Sequence, residues 1–240
     1  SISGSVVFVA GRYGQAFDFN GGGVRQSNRT VGNFRSSDFS IAFWIRGEPT
    51  ASRPEILIKG GCTGQGYYAI RGEGPNGSAS ISFESVFVNP FIRLVIPQVL
   101  DDSWHHVIVR RKGVSTSAAR DGVTVAVATS PSATDYNTLS TIRFSDGYCV
   151  GINDVVQFSG LLDDIRFYNR FLTDQEIRSF ACATDMNGDL LVDDADFSIF
   201  VVQYDVLLCS EPTMPFNCVG DFNQDGQVDD TDFTIFTGEY

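Results

Sequence analysis

Basic residues disappear from the chain after residue 181. The last 59 residues, 182–240, hold 13 Asp and Glu and no Lys or Arg, which leaves 16 acidic and 17 basic residues before them. The net charge of −12 is therefore −13 in the tail and +1 in the rest. Such a tail repels nucleic acid and anionic membranes and attracts cations. No apolar run approaches the ~20 residues of a membrane span, so membrane insertion is not expected. The five cysteines, Cys62, Cys149, Cys182, Cys209 and Cys218, lack the close spacing of a zinc site. Disulfides outside the cytoplasm are the expectation. Cys62 is expected to pair with Cys149, while Cys209 has two alternatives, Cys182 and Cys218. The odd count leaves one thiol free or bonded elsewhere. No signal peptide begins at Ser1, so a mature, processed or fragmentary chain is expected.

What the tail does contain is acid in a set order. "DFNQDGQVDDTD", from Asp221, places oxygen-bearing side chains at positions 1, 3, 5, 9 and 12 and glycine at position 6, the ligand pattern of an EF-hand-type calcium loop. Calcium is a hard cation that needs oxygen ligands, and glycine turns the loop where φ is positive. Asp221, Asn223 and Asp225 are assigned as side-chain ligands, Gln227 as a carbonyl ligand, Asp229 as a ligand through water and Asp232 as the closing carboxylate. A second copy lies 36 residues upstream, "DMNGDLLVDDAD", with Asp185, Asn187, Asp189, Leu191, Asp193 and Asp196 in the same roles. Leu190 replaces the glycine there, which predicts a weaker or distorted first site.

Apolar residues follow each loop at helical spacing: Phe197, Phe200, Val201 and Tyr204, then Phe233, Phe236 and Tyr240. These stripes are expected to form the core of a small helical unit. Asp rather than Glu at position 12, with a helix after each loop and no clear helix before it, resembles the type I dockerin repeat over residues 182–240. Without bound metal, so small and self-repelling a unit is expected to be loosely folded.

Residues 1–181 form many short β-branched and aromatic runs, among them "FSIAFWIR", "EILIKG", "YYAIR", "ASISFES", "FIRLVIP", "HHVIVRRK" and "GVTVAVA". Their spacing predicts a mainly β fold, an antiparallel β-sandwich. In "FSIAFWIR", Phe39, Ile41, Phe43 and Ile45 alternate with Ser40, Ala42 and Trp44, which predicts a strand with one face in the core. "GRYGQAFDFNGG", "DFSIAFWIRG", "ILIKGG", "DDSWHHVIVRRKG" and "FSGLLDDIRFYNRFLTDQEIRSF", in that order, resemble the laminin G-like, concanavalin A-like jelly-roll family. The last of these predicts a strand and then a short helix opened by a capping box, Thr173 with Glu176.

The only histidines, His105 and His106, point to opposite faces of one predicted strand and share no site. Neither has a nucleophile or ligand at usable sequence spacing. Asp163 and Asp164 are the one tempting carboxylate pair, because the resembled fold includes glycosidases. The Glu-x-Asp-x-x-Glu and Glu-x-Asp-x-Glu patterns of those enzymes are missing, so one aspartate is expected at the surface and the other capping a turn or helping bind a structural calcium. The chain reads as a non-enzyme. Asn28-Arg29-Thr30 and Asn76-Gly77-Ser78 are glycosylation sequons.

The combined resemblance implies a secreted bacterial surface protein with calcium in two C-terminal sites. Two functions follow. The first is attachment and assembly, the tail docking on a protein partner or a neighbouring chain, with strand addition by "SISGSVVFVA" as one route. The second is carbohydrate recognition by the sandwich, with Tyr67, Tyr68 and Tyr148 as stacking residues.

Overall fold

The computed structural model describes residues 1–49, 51–60, 67–74, 79–86, 90–146, 155–181, 184–187, 191–223 and 225–239. Its strands are β1 (Ile2–Ser3), β2 (Val6–Ala10), β3 (Gln15–Phe19), β4 (Gly23–Arg25), β5 (Phe39–Arg46), β6 (Arg53–Lys59), β7 (Tyr67–Gly72), β8 (Ile81–Val86), β9 (Ile92–Ile96), β10 (His105–Lys112), β11 (Ser115–Arg120), β12 (Val123–Thr129), β13 (Ile142–Phe144), β14 (Val155–Gln157) and β15 (Gly160–Tyr168). Helices α1 (Asp174–Ala181), α2 (Asp194–Tyr204) and α3 (Asp230–Glu239) follow, with a short 3-10 helix at Pro215–Cys218 between the last two.

Two sheets face each other in a jelly-roll-like sandwich. Sheet A runs β1-β4-β13-β6-β7-β8-β9, with β14 added in parallel to β6, and sheet B runs β12-β11-β10-β5-β15-β3-β2. Phe39, Ile41, Phe43 and Ile45 of β5 meet Tyr68, Ile70, Phe83 and Leu94 of sheet A in one core. Phe34 and Phe39 stack with ring centres 4.3 Å apart. The guanidinium of buried Arg111 donates to the carbonyls of Arg35, Ser37 and Thr134, which pins the 35–37 loop across the end of the sandwich.

The expected half-buried β5 is buried on both faces. Ala42 lies beneath α1 in a second cluster with Ile108, Ala119, Leu172 and Ile177. The predicted capping box forms: Glu176 N donates to Thr173 Oγ1 at 3.2 Å, and Thr173 N donates to Glu176 Oε2 at 2.7 Å. Arg110 fixes the helix to the sheet. It donates to the Leu172 carbonyl, pairs with Asp174 and lies over the Phe171 ring.

In the tail, Phe200, Phe222, Val228 and Phe236 make a separate small core. Phe200 stacks on Phe222 at 5.8 Å and on Phe236 at 5.4 Å. The predicted stripes are only partly core: Phe197, Val201, Tyr204 and Phe233 stay exposed on the helix surfaces, because a two-helix core this small closes over about one aromatic per helix. Tyr240 lies outside the described residues. The stripes also omitted loop residues Phe222 and Val228 and the polar Gln203, fully buried, whose side chain accepts from Gly220 N and donates to the Ile199 carbonyl.

Candidate functional site

The two acidic loops share one hydrogen-bond framework. In the second, fully buried Asp232 accepts from Phe222 N (2.7 Å), Asn223 N (3.0 Å) and Asp229 N (3.0 Å). In the first, fully buried Asp196 accepts from Asn187 N (2.9 Å) and Asp193 N (3.0 Å). Asp193 and Asp229 each cap the following helix, accepting from Ala195 N and Thr231 N. The contacts of positions 3, 9 and 11 recur at the 36-residue spacing of the sequence repeat, and the Phe222 amide adds one in the second loop.

The rest of the second loop turns inward on itself. Asp225 N donates to Asp221 Oδ1 and Asn223 Oδ1, Gly226 N to Asp221 Oδ2, and Gln227 N to Asp225 Oδ1. Gly226 has φ +91°, the conformation expected at position 6. Each carboxylate oxygen has two lone pairs, so an oxygen that takes one amide keeps a site for a cation. In chemical type the oxygens of Asp221, Asn223, Asp225, the Gln227 carbonyl, Asp229 and Asp232 are those a hard divalent ion would take, but among the described residues these four carboxylates do not converge into one cluster. Burial raises the pKa of Asp232 above the ordinary carboxylate value; its three amide donors oppose the rise and Asp221 adds to it. In the first loop Asp185 is buried and Leu191 exposed, while Asp189 lies outside the described residues.

A Cys209–Cys218 disulfide borders the second loop, one of the two pairings left open for Cys209. Its Cys209 sulfur sits 3.4 Å from Asp221 Oδ2. Cys209 N donates to the Gly226 carbonyl and Val228 N to the Leu207 carbonyl. Cys209, Cys218 and Asp221 lie close together, but the disulfide uses both sulfurs and so leaves no thiolate ligand. Cys62, Cys149 and Cys182 lie outside the described residues.

On the sandwich, the histidines diverge as expected. His106 is buried against Trp44 and Phe180, with its pKa lowered to about 4 by burial and no partner for Nδ1. His105, for which no ligand is expected at usable sequence spacing, does meet two carboxylates. Its Nδ1 lies 2.8 Å from Asp121 and its Nε2 3.0 Å from Asp101, brought together by the β10–β11 sheet and by the loop before β10. Asp163 and Asp164 separate into structural roles. Asp163 is buried and accepts from Tyr13 N and Asp164 N, holding the turn after β2, while Asp164 pairs with Arg166 at 2.6 Å.

Sheet A carries an ionic face that the sequence reading missed. Pairing places Ala69, Glu84 and Arg93 in one row across β7, β8 and β9, and Arg71, Ser82 and Val95 in the next. These rows alternate with core-facing Tyr68, Ile70, Phe83 and Leu94, so they point outward. Arg53 pairs with Glu84 at 2.5 Å, Arg71 with Glu84 at 3.3 Å and with Glu55 at 3.6 Å, and Arg93 with Glu73. Glu55 is fully buried, neither of its oxygens accepts a hydrogen bond, and burial pushes its pKa up to about 6. Phe91, just before β9, is 61% exposed on this side. The proposed stacking residue Tyr68 is instead fully buried, its hydroxyl donating to the Gly32 carbonyl, because it alternates inward on β7. The Tyr67 side chain and Tyr148 lie outside the described residues.

Residues 19–178 match the model of the concanavalin A-like lectin/glucanases superfamily. The chain belongs to that superfamily. No curated protein matches it. Among solved structures it resembles the binding domain of Paraclostridial Mosquitocidal Protein 1 (16% identity, TM-score 0.60, covering 78% of this chain and 48% of that one). It also resembles the binding domain of Botulinum Neurotoxin DC, solved with SialylT (16%, 0.54, 75% and 45%). A third relative is domain 4 of AbnA, a GH43 extracellular arabinanase from Geobacillus stearothermophilus, solved with arabinotriose (18%, 0.55, 75% and 87%). The chain thus spans about half of the toxin binding domains and most of the arabinanase domain. These identities carry the fold.

Proposed function

We propose that this chain is an extracellular, non-catalytic recognition module: the sandwich binds a glycan, and a dockerin-like C-terminal unit organised by calcium attaches it. The observation that carries the second half is the repeated framework, a buried aspartate at position 12 of each loop gathering the amides of positions 3 and 9. That arrangement holds anionic oxygens at the start of a helix, where the helix dipole supports them, and calcium would neutralise the surplus. The Cys209–Cys218 disulfide suits an oxidising, extracellular setting. The glycan half draws on the superfamily and on the domain solved with arabinotriose. On this reading the residues' part is to bind and orient, with no bond made or broken.

Calorimetric titration with calcium tests the tail. Two binding events are expected, the tighter one lost in Asp221→Ala/Asp225→Ala. Unchanged binding in that variant would refute the ligand assignment.

A second reading, assembly by strand addition, is favoured by one observation. β1 and β2 are edge strands of the two sheets, and Val7 and Phe8 of β2 are more than half exposed. Sedimentation velocity in calcium and then in chelator separates the readings: large species support assembly, and a monomer in both conditions removes it.

A further inference from the structure

The geometry points to a sugar-binding site on the outer face of sheet A at the β9 edge, with Phe91 as the stacking platform and Arg93 as the hydroxyl-binding fork. This rests on the glycan-binding reading above and locates it. Phe91 lies one residue before β9 and two from Arg93, so the strand's alternation carried back by one residue sets both side chains on the same face. Phe91 is 61% exposed at a sheet edge and takes no part in the described core. A sugar ring's C–H face packs on such a flat aromatic surface.

Arg93 is held ready beside it. Its guanidinium pairs with Glu73, and its Nε lies 3.5 Å from Glu84 Oε1, yet 43% of the side chain remains exposed. Glu84 in turn is held by Arg53 and Arg71. The fork is thus fixed before any ligand arrives, and less side-chain entropy is lost on binding. Behind it, fully buried Glu55 accepts no hydrogen bond and is held by its ion pair with Arg71, which completes the charge network under the fork.

The charge count selects the ligand class. Arg53, Arg71 and Arg93 balance Glu55, Glu73 and Glu84, so the face has no net charge to reward a polyanion or a polycation. The exposed Arg93 fork with the partly exposed Glu73 carboxylate beside it instead matches adjacent hydroxyls, each of which donates and accepts. The ligand is therefore a neutral oligosaccharide with vicinal hydroxyls.

The test is a glycan array carrying neutral arabino-, xylo- and gluco-oligosaccharides beside sialylated ones, followed by calorimetry of the best neutral hit with Phe91→Ala and Arg93→Ala. Each variant is expected to bind about tenfold more weakly or worse, a loss of about 1.4 kcal/mol. Phe91→Ala should melt with the parent, because its ring supports no core. Neutral-glycan binding that survives both substitutions overturns this site while leaving a glycan-binding module. Binding confined to sialylated glycans overturns the ligand class. No glycan binding at all overturns both the site and the reading it rests on.

Discussion

Replacing Asp232 with alanine should unfold the C-terminal unit in the absence of calcium. Its carboxylate is fully buried and takes three backbone amides, those of Phe222, Asn223 and Asp229. Hydrogen bonds to a charged group are worth about 1.5–3 kcal/mol each. Coupling between them reduces the sum, so the three together are worth about 4–6 kcal/mol. A unit of this length has a total stability of about 3–9 kcal/mol at ordinary values per residue, and its core of four buried apolar residues places it low in that range. The loss therefore matches or exceeds what is available. Trp44 and Trp104, the chain's two tryptophans, lie in the sandwich, so tryptophan fluorescence will not report the change. Hydrogen exchange will: in Asp232→Ala the amides of Phe222, Asn223 and Asp229 should exchange at unfolded rates, while those of β5 and β10 keep their protection. Asp232→Asn should fall between, since its amide nitrogen replaces one acceptor oxygen. Retained protection at all three amides in the alanine variant would refute the claim that this carboxylate organises the unit.

Two further outcomes follow from the same structure. His105, raised in pKa chiefly by its bond to Asp121, is protonated more readily in the folded chain. Its contribution is full below the unfolded histidine value and is lost as pH rises through the higher folded one. The melting temperature should therefore drop across that window, and Asp121→Asn should flatten the profile; an unaltered profile would contradict the clamp. The Cys209→Ser/Cys218→Ser variant should free the 207–209 segment that braces the second loop, raising exchange at the Cys209-position and Val228 amides and weakening the tighter calcium event. Equal exchange in both forms would show that the disulfide does not position the loop.

How much of this was legible in the sequence varies with how local the signal is. β5 and β10 match "FSIAFWIR" and "HHVIVRRK" residue for residue, because β-branched and aromatic runs declare a strand without help. β11, "STSAAR", carries no such signal. Its serines and alanines are selected by closeness, Ala118 packing in the main core and Ala119 under α1. The acidic loops were readable because loop ligands follow one another along the chain. The ionic face was not, since Glu55, Arg71, Glu84 and Arg93 come from four strands and meet only through register. A signal for Phe91 did exist: in "FIRLVIP", Phe91, Arg93 and Val95 alternate with Ile92, Leu94 and Ile96, which already sets the aromatic beside the arginine on the polar side.

The two halves of the chain face opposite electrostatic problems, and the proposed functions are their solutions. On sheet A, opposite charges are interleaved strand by strand, so the face is neutral and rigid without any added ion. On the proposed reading its exposed edge, Phe91 and Arg93, recognises an uncharged ligand by shape and hydroxyl pattern. In the tail no basic residue exists to balance the acids, and buried Asp232 is pushed toward its protonated form. Within the chain that imbalance can be relieved only by uptake of protons or cations. If calcium supplies the relief, binding must release any proton that Asp232 holds and must strengthen as pH rises through its raised pKa. Calcium titrations in buffers of different ionisation enthalpy at mildly acidic pH would then show proton release, and that release should vanish in Asp232→Asn. Release that persists in the variant would place the coupled proton on another group and break the link between burial of this carboxylate and the metal.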